Sequence, residues 1–123
     1  MPGAAAYDFG DAIRFGASTA LEDERDLEKV HFSAELYEAF ISGFLEQCGE
    51  SMGKEEKLSL PIGAKLMTYE CGLRFLTDHL MGDTYFSISR PGHNLDRART
   101  QLKLIEEMEN DRDTIMRITG RYL

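Results

Sequence analysis

The stretch from Lys57 to Gly82, KLSLPIGAKLMTYECGLRFLTDHLMG, dominates the chain. From Ile62 to Met81 apolar residues fall all round a helical wheel, the pattern of a helix buried on most of its sides. Pro61 suits its first turn, where a missing N–H costs nothing, and Gly82 ends it. Such a helix sets the fold, because the other segments must cover it. Charged residues interrupt the stretch, so it holds no run of 18 apolar residues and no membrane partner is expected.

The covering segments read as helices too. Residues 8 to 20 predict a first helix, entered at Pro2-Gly3 and interrupted by Gly10 and Gly16. Two glycines cost it about 1 kcal/mol each against alanine, so it needs close packing to persist. An acidic connector, 21 to 29, leads to KVHF, a short extended approach, and Ser33 is placed to cap a second helix. Leu36, Tyr37, Phe40, Ile41, Phe44, Leu45 and Cys48 then form an amphipathic stripe, stopped by Gly49. After a polar link, 50 to 56, comes the long helix. Residues 82 to 94 contain Pro91-Gly92 and read as a loop with some extended character. Asn94 is placed to cap a final helix of about 25 residues. Its stripe is Leu95, Ala98, Leu102, Ile105, Met108, Ile115 and Ile118, with Glu109–Arg112 and Asp113–Arg117 as surface pairs. The expectation is an all-α fold of about four helices, with residues 1 to 123 as one helical unit.

At 123 residues with 42% hydrophobic content, the chain suits one domain with a core. The net charge of −8 resides entirely in residues 1 to 62, while the second half is balanced. With no basic stripe, nucleic acid is a poor partner. The acidic run EDERDLE, residues 22 to 28, reads as a solvated surface. Cys48 and Cys71 lie in helical patterns without metal-ligand spacing and read as reduced thiols of a cytoplasmic protein. No charged-then-apolar leader is seen at the N-terminus.

Asp8-Phe9-Gly10 matches the tripeptide by which protein kinases hold magnesium, but the phosphate loop, strand lysine and catalytic loop belong upstream of it, and only seven residues precede Asp8. Glu28-x-x-His31 has the spacing of a di-iron helix, yet a second such pair is missing and KVHF is extended, so no metal site is expected. His79, in the long helix, reads as a hydrogen-bonded structural histidine. No Walker sequence or GxGxxG occurs. Two features invite chemistry. Glu70, Arg74 and Asp78 stand four apart on the long helix, where three charges must either pair as a ladder or meet a polar cleft. Tyr85-Phe86 follows that helix in a loop, a common way to line a pocket.

Three blocks, YDFGDAIRFGASTALEDERDL after the opening MPG, LPIGAKLMTYECGLRFLTDHLMGDTYF, and HNLDRARTQLKLIEEME, resemble the C-terminal part of bacterial N-acetylhexosamine 1-kinases, of the aminoglycoside phosphotransferase and choline kinase superfamily. The likeness covers nearly the whole chain. It implies a helical C-terminal subdomain whose nucleotide lobe, catalytic loop and metal aspartate lie upstream of MPG, so this chain carries no catalytic residue and is inactive alone. ATP and Mg2+ would serve only the full-length parent. Asp8 is then no metal ligand. It would stand at the start of a helix and brace the catalytic loop through hydrogen bonds. Arg74 and Tyr85 would contact an N-acetylhexosamine-type sugar. Faces of helices 8 to 20 and 62 to 81 left without the missing core imply self-association. A reading of another class also stands, a free-standing all-α interaction or dimerisation module without catalysis.

Overall fold

The computed structural model describes residues 2–123, with side chains from Ala5 onward. Among them the fold is all-helical. Helix α1 spans Pro2–Gly16, α2 Ala34–Cys48, α3 Lys54–Leu80, α4 His93–Asn110 and α5 Arg112–Gly120, with short 3-10 turns at Leu27–Lys29 and Gly49–Ser51. No helix among the described residues is long and apolar enough to cross a membrane. Both cysteines are free thiols.

Helix α1 starts earlier than its sequence pattern suggests, because Pro2 suits a first helical position and Ala4 to Ala6 are the strongest helix formers. Asp8 therefore lies well inside α1 and not at its start. The glycines that weaken α1 are where it meets its neighbours. A methyl group on Gly10 would stand 2.3 Å from the Gly63 carbonyl oxygen, and one on Gly63 would stand 2.3 Å from that of Ala6. Helices α1 and α3 thus cross backbone to backbone. Gly16 leaves room for the Phe40 ring, which a methyl there would meet at 2.2 Å.

Ser33 caps α2 as expected, its hydroxyl accepting from the Leu36 N–H at 3.2 Å. Tyr37 and Ile41 on this helix are buried, and Phe9 of α1 packs on Tyr37 and Phe44 with ring centroids 5.8 and 5.3 Å apart. Met108, Ile115 and Ile118 from the last two helices complete the same core.

Further expectations are corrected. Helix α3 begins at Lys54, since Glu55 and Glu56 favour a helix N-terminus, and Pro61 sits inside it. Nor is α3 buried on most sides: its buried strip is Leu60, Gly63, Ala64, Thr68, Gly72, Phe75 and Asp78, while Ile62, Leu66, Tyr69, Leu73 and Leu80 are exposed. Small residues in that strip bring α1 and α4 close, and these two with a lesser contact from α5 do not surround the helix. Finally, the last helix divides at Asp111, giving five helices and not four. Its closing turn is acidic with no basic residue to meet the carbonyl end of the dipole, and Asn110-Asp111 favours a cap. The break separates Glu109 from Arg112, and Glu109 pairs instead with Lys65. Arg117 bonds Thr114 and not Asp113. Leu102 faces outward, and the inner face of α4 carries Ala98, Gln101, Leu104 and Met108.

Candidate functional site

Helix α3 ends in a Schellman motif. Gly82, at φ 92°, takes the left-handed conformation, its N–H reaches the His79 carbonyl at 3.3 Å, and the Asp83 N–H reaches that of Asp78 at 2.8 Å. This reversal folds the following chain back over the Asp78 side chain. One carboxylate then accepts from the N–H groups of Thr84 (3.0 Å), Tyr85 (2.8 Å) and Phe86 (3.0 Å), and from the Asn94 amide (2.7 Å). Burial pushes the Asp78 carboxyl up, but these donors outweigh it and hold its pKa below the usual 3.8. Asn94 is therefore no helix cap. It is buried, and it joins Asp78 to Asp83 at 3.0 Å, while Gly92 opens α4.

The loop so fixed presents two rings to α3. Phe86 packs on Phe75 with centroids 4.7 Å apart, and Tyr85 meets Phe86 edge-on at 4.9 Å. The Arg74 guanidinium lies 5.6 Å from both the Tyr85 and Phe86 centroids. Neither Glu70 nor Asp78 pairs with it, so of the two alternatives for these charges the ladder does not form. Among the described residues Arg74 has no carboxylate partner within salt-bridge distance.

Beside Arg74 opens a cavity of about 580 Å³ between α1, α3 and the loop. Three carboxylates, Asp8, Asp11 and Glu22, face three guanidiniums, Arg14, Arg74 and Arg97, with Phe15, Phe75 and Phe86 as apolar walls. Most of these charges are spoken for. Arg14, nearly buried, is paired with Glu22 and with Asp11 at 3.2 Å. Arg97 donates to the Ser87 carbonyl at 3.0 Å and to Asn94 Oδ1 at 2.9 Å. Asp8 and Arg74 are the two left to meet a ligand. Burial pushes the Cys71 thiol on the same wall up, which leaves it protonated at neutral pH and a poor nucleophile.

The acidic connector is more than a solvated surface. Glu22 closes onto Arg14, and Asp23 accepts from His93 Nε2 at 2.8 Å. His93 Nδ1 accepts the Ser89 N–H at 3.1 Å, so the ring must carry its proton on Nε2. The His93 bond, first, and Arg90 beside it hold the Asp23 carboxyl below its ordinary value despite burial. Arg90 also donates to Asp96 and to the Asp23 carbonyl, both at 3.1 Å. The connector is thereby tied to the loop that follows α3, forming one rim of the cavity.

The structure brings Asp8 and Arg74 onto one cavity. Tyr85 lines a neighbouring groove on the far side of Arg74, together with Leu73, Thr77 and Met81. Sequence reasoning missed Arg97 and the Asp23–His93 pair, and it gave Asp78 and Asn94 other roles, a charge on the long helix and a helix cap. Only the helix-end position of Asp78 before Gly82 signalled a loop anchor. Elsewhere, His31 Nδ1 meets Glu107 at 2.7 Å, and Glu28 belongs to a 3-10 turn, so the two share no helix face. His79 Nδ1 is shut from solvent with no partner among the described residues, contrary to the hydrogen-bonded role expected. No group of three or more His, Cys, Asp or Glu side chains among these residues is placed to hold a metal ion. Asp11 and Glu22 are already bound to Arg14, so these residues do not make a Mg2+–nucleotide site. No protein-family model matches the sequence.

Proposed function

We propose that this chain is the sugar-binding helical subdomain of an ATP-dependent N-acetylhexosamine 1-kinase, inactive without its nucleotide lobe. The observation that carries the proposal is Arg74, a guanidinium without a carboxylate partner among the described residues, held over two loop rings at the wall of a cavity whose volume suits a small ligand. A guanidinium offers forked donors to sugar hydroxyls or an acetamido carbonyl, and a tyrosine offers a ring face and a hydroxyl. Asp8, exposed at the mouth of the same cavity, is free to accept from a loop of the missing catalytic core. In phosphoryl transfer such groups position the acceptor, and charge neutralisation comes from the nucleotide side.

The test belongs in the intact kinase carrying these residues. Arg74→Ala and Tyr85→Phe should each weaken the sugar KM by the equivalent of about 1–3 kcal/mol and leave the ATP KM unchanged. Unaltered kinetics, or a loss of thermal stability alone, would show both residues to be structural. The 123-residue chain by itself, given ATP, Mg2+ and N-acetylglucosamine, should make no sugar 1-phosphate. The other reading, an interaction module, is favoured by the bare face of α3.

A further inference from the structure

The outward apolar residues of α3 are regularly spaced. Ile62, Leu66, Tyr69, Leu73, Leu76 and Leu80 follow one another at intervals of four, three, four, three and four. This is an unbroken 3.5-residue repeat, the seam of a two-stranded coiled coil, with Leu66, Leu73 and Leu80 at a and Ile62, Tyr69 and Leu76 at d. Leu76 is half-buried, and the other five are between 43% and 75% exposed. A core-facing helix follows the wider pattern of its own inner strip, so α3 carries two separate apolar faces. One is filled by α1 and α4. The other faces water from Ile62 to Leu80, a contiguous apolar row of the kind that marks an interaction surface.

We propose that this seam docks on the same seam of a second copy, giving a parallel homodimer about a two-fold axis along α3. The flanking charges choose both partner and direction. Lys65 stands at g and Glu70 at the following e, the pair that meets between parallel identical strands, so the two-fold axis makes two Lys65–Glu70 bridges across the dimer. An antiparallel pair would instead set the two Glu70 carboxylates against each other. The order is two, because α1 and α4 cover the flanks of the seam at Gly63 (e) and Gly72 (g) and leave room beside it for one partner helix. Glu109, which holds Lys65 within the chain, is itself half-exposed and leaves Lys65 able to reach across.

This inference shares Leu73 with the Tyr85 groove of the sugar-binding reading and is tested without sugar or nucleotide. Sedimentation of the 123-residue chain over a dilution series should show a monomer–dimer equilibrium. Leu73→Glu, on an exposed site that leaves the helical circular dichroism intact, should weaken dimerisation by about thirtyfold or more, as loss of a central anchor does. Lys65→Glu alone and Glu70→Lys alone should each weaken it, and the double variant should restore it. A chain that stays monomeric at all concentrations overturns the proposal, as does a dimer indifferent to Leu73→Glu. Restoration failing in the double variant overturns the parallel arrangement.

Discussion

Thr119 Oγ1 donates its single proton to the Ile115 carbonyl at 2.8 Å, so the 2.8 Å contact with Tyr37 must be a bond that the Tyr37 hydroxyl donates. Burial pushes that phenol up to about 12. A raised pKa means that the folded state holds the proton more tightly than the unfolded one. The Tyr37 contribution is thus complete below pH 10 and is lost as pH rises through about 12, a fall of about 2–3 kcal/mol at most. Urea midpoints measured from neutral pH to pH 12 should follow this decline. Tyr37→Phe should flatten it while costing about 1 kcal/mol at neutral pH, because the Thr119 oxygen loses its donor. Asp78 runs the other way. Its pKa is depressed, so its hold on the loop is present above the usual 3.8 and is lost as pH falls below it. Asp78→Asn replaces one acceptor oxygen with a donor, and amide exchange at Thr84, Tyr85 and Phe86 should quicken while the helices stay protected. Unchanged protection there would mean that the loop has another anchor.

Between elements, the tightest fit is the α1–α3 crossing. Its geometry depends on Gly10 and Gly63 both lacking a side chain, and a carbonyl cannot step aside as a flexible side chain can. Gly63→Ala should therefore destabilise the fold by about 1–3 kcal/mol although alanine is the better helix former, the overpacking cost winning over propensity. Thermal unfolding of that variant beside Gly43→Ala, whose added methyl meets nothing, isolates the effect. The need for close packing at Gly10 was legible in the sequence because a helix keeps a glycine only at some cost. So were the Ser33 cap and the apolar stripe of α2. What α3 does with its surplus of apolar residues was not legible. A helical wheel records where side chains point, not what stands opposite them, and so an exposed seam reads as core. The Asp111 break was hidden for a related reason, since Met108 and Ile115 keep a common apolar phase across it.

At the scale of the whole molecule, two strands of chain without regular structure meet at one side. The connector before α2 closes on itself through the Ser18–Phe32 bridge and the Thr19–His31 backbone bond at 3.0 Å, and Asp23 then ties it to His93. The Asp23–His93 contact spans 70 residues of sequence and leaves no local pattern, which is why a run of acidic residues reads as plain surface. Arg74 and Tyr85 could be singled out early, one as a charge among apolar neighbours and one as an aromatic past a helix end. The hold on the Tyr85 loop could not be read, because Asp78 acts on backbone amides, which are the same whatever the sequence. That last property has an evolutionary consequence. A loop suspended by its main chain from one carboxylate owes little of its shape to its own side chains. The exposed residues 84 and 85 can then be exchanged with small effect on the scaffold, while Phe86 is kept by its packing on Phe75, which makes this loop the place where a lineage could alter what its members recognise.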